Sequence, residues 1–147
     1  MIHIWSVLCK NSIVDQSTNN ISLINALEKI TVSIPKGLSK KKELRIPFSF
    51  DLVSLWSKKE GEKKRVNKLN IRIDLYGTRK KGRRKIFRKN IIGLKDKKRV
   101  RTIIQIGGIV VKTSGNYWLD IKQEKEGRFI SVAKIPLEIE LKYSSKT

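Results

Sequence analysis

Apolar and polar positions alternate with a period of two along most of this chain. Leu69, Ile71, Ile73 and Leu75 interleave with Asn70, Arg72, Asp74 and Tyr76, which predicts a strand with one face on a core and the other toward water. Ile2-His3-Ile4-Trp5-Ser6-Val7-Leu8-Cys9 is short, apolar and β-branched and reads as a strand buried on both faces. Lys10 to Asn20 is polar and predicts a loop, and Ile21 to Glu28 a helical turn or an edge strand. Lys29 to Ile34 predicts a strand that stops at Pro35-Lys36-Gly37, because proline restricts the residue before it and lacks a backbone donor. Arg45 to Trp56 places Ile46, Phe48, Phe50 and Leu52 on one parity and then shifts to Val53 and Leu55, the pattern of a bulged strand.

Gly77-Thr78-Arg79-Lys80-Lys81-Gly82 predicts the basic tip of a hairpin whose second strand is Arg83 to Ile92. Val100 to Val111 is a long strand region in which Gly107-Gly108 marks a bulge or a close backbone approach. Tyr117 to Gln123 reads as a strand, Glu124 to Gly127 as a tight turn, and Arg128 to Tyr143 as one or two strands around Pro136. About eight strands with turn signals between them, and no amphipathic helix, predict an all-β fold: an antiparallel β-sandwich, Ig-like or C2-like, in one domain spanning 1–147. Trp5, Trp56 and Trp118 are expected in its core.

Two resemblances point the same way. Ser114-Gly115-Asn116-Tyr117-Trp118 resembles the Gly-x-Tyr step at a late strand of Ig-like sandwiches, where the tyrosine hydroxyl bonds to a nearby backbone group. Ile2 to Cys9, then Asp15 and Asn20 to Asn25, Phe50-Asp51-Leu52-Val53-Ser54-Leu55-Trp56 and Ile135-Pro136-Leu137-Glu138, together resemble a family of small uncharacterised bacterial domains of unknown function. The likeness runs loosely over the whole chain and implies a cytoplasmic β-sandwich in a bacterium. It brings no known catalytic residues, so no function follows from it.

Composition narrows the chemistry. A chain of 147 residues with 39% hydrophobic content suits one core and is too apolar to be wholly disordered. No apolar run reaches the roughly 18 residues of a membrane-spanning helix, and Met1 to Trp5 lacks the features of a secretory signal. Cys9 has no second cysteine to pair with, and a single His with a single Cys excludes the usual zinc sites. A cytoplasmic protein without metal or cofactor is the expectation.

Charge changes the picture most. The net charge is +21, and residues 36–101 carry +19 of it, with 25 Lys or Arg against six Asp or Glu. Residues 79–101 alone hold 13 basic side chains and one acid, Asp96. An A/T-rich coding bias would also raise Lys and Ile, but it would spread Lys evenly, whereas both termini here are nearly neutral. A field this local attracts polyanions, because each cation that neutralises a phosphate releases condensed counterions.

Several motifs carry residue types that could do chemistry. Gly77 to Arg84 has the glycine spacing of a phosphate loop but lacks its Lys-Ser/Thr and enters no helix. Asp120-Ile121-Lys122 and Glu140-Leu141-Lys142 have the acid-x-Lys spacing of some metal-dependent nucleases, with Asp74 as a further ligand. That reading requires Asp74, Asp120 and Glu140 to reach one ion. His3 and Cys9 read as structural. Phe87, set among cations, is a candidate to stack a base.

The sequence therefore predicts a non-enzymatic nucleic-acid-binding domain that uses a basic hairpin around 77–101 for sequence-independent phosphate contacts to DNA or RNA. Its candidate residues are Arg79, Lys80, Lys81, Arg83, Arg84, Lys85, Phe87, Arg88, Lys89, Lys97, Lys98, Arg99 and Arg101. Lys40-Lys41-Lys42 and Lys63-Lys64-Arg65 would join them if the fold brings them to the same side. The alternatives are a protein–protein interaction module, which an exposed apolar patch beside the basic hairpin would favour, and the metal-dependent nuclease.

Overall fold

The computed structural model describes residues 1–38, 43–62, 68–77, 84–92, 94 and 97–144, with the backbone alone at 84 and 90–92. Among these the chain is all β, with no α-helix. The strands are β1 (Ile2–Val14), β2 (Ile21–Ala26), β3 (Lys29–Ile34), β4 (Leu44–Ile46), β5 (Phe50–Ser57), β6 (Lys68–Gly77), β7 (Arg84–Ile92), β8 (Arg99–Ile106), β9 (Ile109–Val111), β10 (Gly115–Lys125) and β11 (Arg128–Tyr143). A 3-10 turn, Lys36–Leu38, follows Pro35. No helix is long and apolar enough to cross a membrane among the described residues.

The strands form a four-stranded sheet in the order β2-β1-β5-β8, a five-stranded sheet in the order β3-β11-β10-β6-β7, and a small β4-β9 pair. The alternation that defines each strand also selects its buried face. Phe50, Leu52 and Trp56 of β5 meet Leu69, Ile71, Ile73 and Leu75 of β6, Leu119 and Ile121 of β10, and Leu137, Ile139 and Leu141 of β11 in one hydrophobic cluster. Each such side chain contributes about 1.5–3 kcal/mol on burial. The Trp56 indole N–H donates to Thr102 Oγ1 at 3.1 Å, so the ring's polar atom is satisfied inside the cluster.

Several expectations are met. β6 and β7 form the predicted antiparallel hairpin, with its tip at 78–83 outside the described residues. Glu126 and Gly127 close the β10–β11 turn with φ of 51° and 76°, the left-handed pair that a two-residue hairpin turn requires. A Cβ on Gly108 would lie 3.1 Å from the Ile46 carbonyl oxygen, so the glycine there serves a close backbone approach. Tyr117 donates to the Thr113 carbonyl at 2.6 Å.

Others are corrected. The described residues contain eleven strands rather than about eight, because Ile21–Ala26 is a strand rather than a helical turn, and Pro47 and Gly107-Gly108 each divide a predicted segment in two. The bulge assigned to Arg45–Trp56 lies instead in the partner strand β1, between His3 and Trp5. β1 is not buried on both faces, since Ile2 and Ile4 are exposed, and it continues to Val14 where a loop was expected. The outward face of β6 is also covered, with Asn70, Asp74 and Tyr76 buried. β3 pairs with β11 in parallel, because the chain leaves β2 in one sheet and enters β3 at the edge of the other, beside a strand about a hundred residues away. Trp56 alone of the three tryptophans is fully buried; Trp5 and Trp118 are half-buried outside the cluster.

Candidate functional site

β7 and β8 are the outermost strands of the five- and four-stranded sheets on one side of each order, and they are consecutive in the chain. Register determines where their cations point. Lys85 pairs with Asp74 and Arg88 with Arg72, so both share the outward face of the five-stranded sheet, and both are exposed. Lys89 is exposed on the same edge strand, and Lys97, Lys98 and Arg99 are exposed where the chain enters β8. Arg101 is half-buried. The end of β5 joins this group, since Lys58 N–H donates to the Lys98 carbonyl at 2.8 Å and exposed Lys59 follows.

Arg79, Lys80, Lys81 and Arg83, the Arg84 side chain, Lys40-Lys41-Lys42 and Lys63-Lys64-Arg65 lie outside the described residues. Phe87 is placed differently from the cations around it. It pairs with Ile73 and packs half-buried against the hydrophobic cluster, on the opposite face from Lys85 and Arg88. The bulge that separates these two parities falls between Ile73 and Asp74.

The β1–β2 ribbon shapes a second feature. Straight strands would carry its turn roughly 30 Å beyond Trp5, at about 3.3 Å per residue. Instead Arg101 donates to the Asn19 carbonyl at 2.6 Å and Ser12 Oγ donates to Asp51 at 2.7 Å, so the ribbon folds back over the outward face of the four-stranded sheet. The fold occurs where the Lys10–Asn25 pair drops out of the ladder and Asn25 takes φ of 54°, a conformation asparagine tolerates better than most residues. Cys9 and Val53 are fully buried yet lie outside the main cluster, as side chains beneath such a ribbon would be. Asp15 holds the ribbon's turn, its Oδ1 accepting from the Ser17 amide and hydroxyl and the Thr18 amide. These bonds keep the exposed Asp15 carboxyl below the ordinary value.

Between the ribbon tip and the sheet lies a depression of about 500 Å³. Trp5 and Leu55 supply its apolar lining, Arg99 and Arg101 stand on one side, and Asn19, Asn20 and Ile21 on the other. No signal in the sequence singles out Trp5 or the two asparagines, because the row Trp5–Leu55–Arg101 exists only through strand pairing.

The acids resolve into two separate groups. Asp74 and Asp120 stand directly opposite each other on β6 and β10. Lys122 Nζ lies 2.8 Å from Asp74 and 3.8 Å from Asp120, Arg72 donates to Asp74 at 2.7 Å, and Ser131 donates to Asp120. Burial opposes ionisation of Asp74, but the hydrogen bonds from Lys122 and Arg72 outweigh it and hold the carboxyl below its ordinary value. Glu140 faces Lys29 at 2.8 Å and Thr31 at 3.3 Å, six residues along β11 from the Lys134 that pairs with Asp120. That separation is about 20 Å. No group of three metal-ligating side chains occurs among the described residues.

His3 Nε2 shares a 2.7 Å hydrogen bond with Ser6, which in turn bonds Ser54 at 2.6 Å, and the imidazole meets Trp56 edge-on at 5.1 Å. Burial lowers its pKa. Cys9 is a buried thiol whose pKa is raised by burial and by the Asp51 charge, the opposite of a reactive cysteine. No family model matches the chain, and no curated protein matches it.

Proposed function

We propose that this chain is a non-enzymatic nucleic-acid-binding domain that contacts phosphates, without sequence preference, through the cationic flank formed by β7, β8 and the segment between them. The observation that carries this reading is that the two outermost strands are consecutive and both present exposed cations, with exposed Lys97 and Lys98 leading into β8. Lysines on edge strands also discourage edge-to-edge association. Thirteen cations against one acid over 79–101 exceed what that protection needs. The same reading takes the two larger sheets as the halves of an Ig-like or C2-like sandwich. The shared hydrophobic cluster and the Tyr117–Thr113 bond support that arrangement.

The alternative of a protein-interaction module is favoured by two observations. Ile13 and Ile24 lie exposed on the solvent side of the folded-back ribbon, and β2 is an outermost strand open to pairing.

Fluorescence anisotropy with labelled single- and double-stranded DNA and RNA tests the proposal. With about five phosphate contacts, affinity falls on the order of 10³-fold between about 50 and 300 mM salt. A variant with Lys85, Arg88, Lys89, Lys97 and Lys98 changed to Ser loses more than half of that salt slope. Absence of binding at about 50 mM salt by a folded protein overturns the reading and leaves the interaction module in its place.

A further inference from the structure

We infer that the depression between the β1–β2 ribbon and the four-stranded sheet holds one nucleotide of a single strand, its base stacked on Trp5 and its phosphate on Arg99. The inference rests on the proposed nucleic-acid reading and adds a site and a strand preference to it.

The lining carries the argument. The strand row that contains Trp5 continues through Leu55 to Arg101, so an aromatic ring, an aliphatic side chain and a guanidinium lie side by side on an outward sheet face. An indole beside a leucine offers a flat apolar surface, which suits a planar ring. Arg101 spends one N–H on the Asn19 carbonyl, and a guanidinium carries five. Arg99 is exposed, and no acid pairs with it among the described residues. Among the described residues no carboxylate lines the depression, so its field favours an anion. Asn20, on the opposite side, offers an amide that can donate to and accept from a base edge.

Continuity with the flank selects the occupant. Arg99 belongs both to the depression and to the exposed run Lys97-Lys98-Arg99, so a strand whose phosphates follow that run arrives at Trp5. Duplex bases are stacked and paired and do not reach the indole, whereas an unpaired base does. Phe87, the aromatic that sequence alone singles out, packs on the cluster, and Trp5 takes the stacking role instead.

The test is photo-crosslinking of the unaltered protein to an oligothymidylate carrying 5-bromodeoxyuridine, mapped by mass spectrometry, beside anisotropy of Trp5→Leu. The expected result is an adduct on Trp5. Trp5→Leu then loses about tenfold or more in affinity for the single strand, with an unchanged salt slope and unchanged duplex binding. Adducts confined to β7, with Trp5→Leu binding normally, overturn the site and leave the flank standing. Displacement of the strand by free thymidine monophosphate at micromolar concentration reassigns the depression to a free nucleotide and overturns the strand. No binding of any nucleic acid at low salt removes the site and the flank reading together. Because crosslinking uses the unaltered chain, the result does not depend on the variant folding.

Discussion

Lys122 shows how one residue can decide a local structure. It stands between Asp74 and Asp120, which face each other across β6 and β10 with almost no exposure. Two buried carboxylates so placed repel unless a cation lies between them. Lys122→Met keeps the stem and removes the charge, and it should lower stability by about 1–3 kcal/mol, read from the urea midpoint, because Arg72 and Ser131 still bond the two carboxylates while the cation between them is gone. A smaller loss on Asp74→Asn/Lys122→Met than the sum of the single changes would identify the pair as the coupled unit. His3 makes a prediction in pH. Its folded pKa lies below the ordinary 6.5, so the unfolded chain takes up the proton first and acid favours unfolding. Stability should fall as pH drops below about 6.5 and continue falling to the lower folded value, and His3→Gln should flatten that limb. The spacing Asp120-x-Lys122 was legible in the sequence; that Asp74 stands across from it was not.

At the scale of elements, the folded-back ribbon is the least expected feature. Ile21 to Ala26 is legible as an edge strand, one of the two readings its pattern leaves open, but the extension of β1 to Val14 through a polar stretch and the reversal at Lys10 and Asn25 are not, since a single left-handed asparagine leaves no mark in the pattern. Arg101 pins the ribbon tip through the Asn19 carbonyl, and Cys9 lies buried at the ribbon's base. Arg101→Ala should therefore speed labelling of Cys9 by a thiol reagent, about tenfold or more, since a charge-assisted hydrogen bond is worth about 1.5–3 kcal/mol. An unchanged labelling rate would show that burial of the ribbon, rather than this bond, holds it down. The break at Pro47 belongs to the same scale, because proline ends β4 and frees the chain to place Leu44 and Ile46 beside β9 while Phe50 begins β5 in another sheet.

For the whole molecule, the distribution of charge matters more than its amount. Residues 36–101 include the β6–β7 hairpin and the start of β8, and they hold +19 of the +21. Among the described residues, Lys85, Arg88, Lys89 and Arg99 are exposed on two consecutive outermost strands, and under the proposed function this placement would let several phosphates be met at once, the physical basis for the steep salt dependence proposed above. Had β7 and β8 been interior strands, the same cations would have required partners, as Lys122 and Arg72 do. The flank is accordingly the part of the candidate site most visible in sequence, whereas the depression beside it combines residues of β1, β5, β8 and the ribbon turn that are never neighbours in the chain.

Alternation by twos is a local property of the backbone, so the sequence by itself determined that this chain is β, where most strands run, which of Leu69, Ile71, Ile73 and Leu75 face inward, and where the positive charge gathers. Which face of a strand is covered depends on partners that local pattern does not specify. Tertiary structure alone decided that β3 lies parallel to β11, that Trp5 and Trp118 stand outside the cluster, that Asp74 meets Asp120 while Glu140 does not, and that the β1–β2 ribbon folds back to make a depression beside Arg99. Each of these follows from pairings between distant segments, whose energy is gained only once the sheets have assembled.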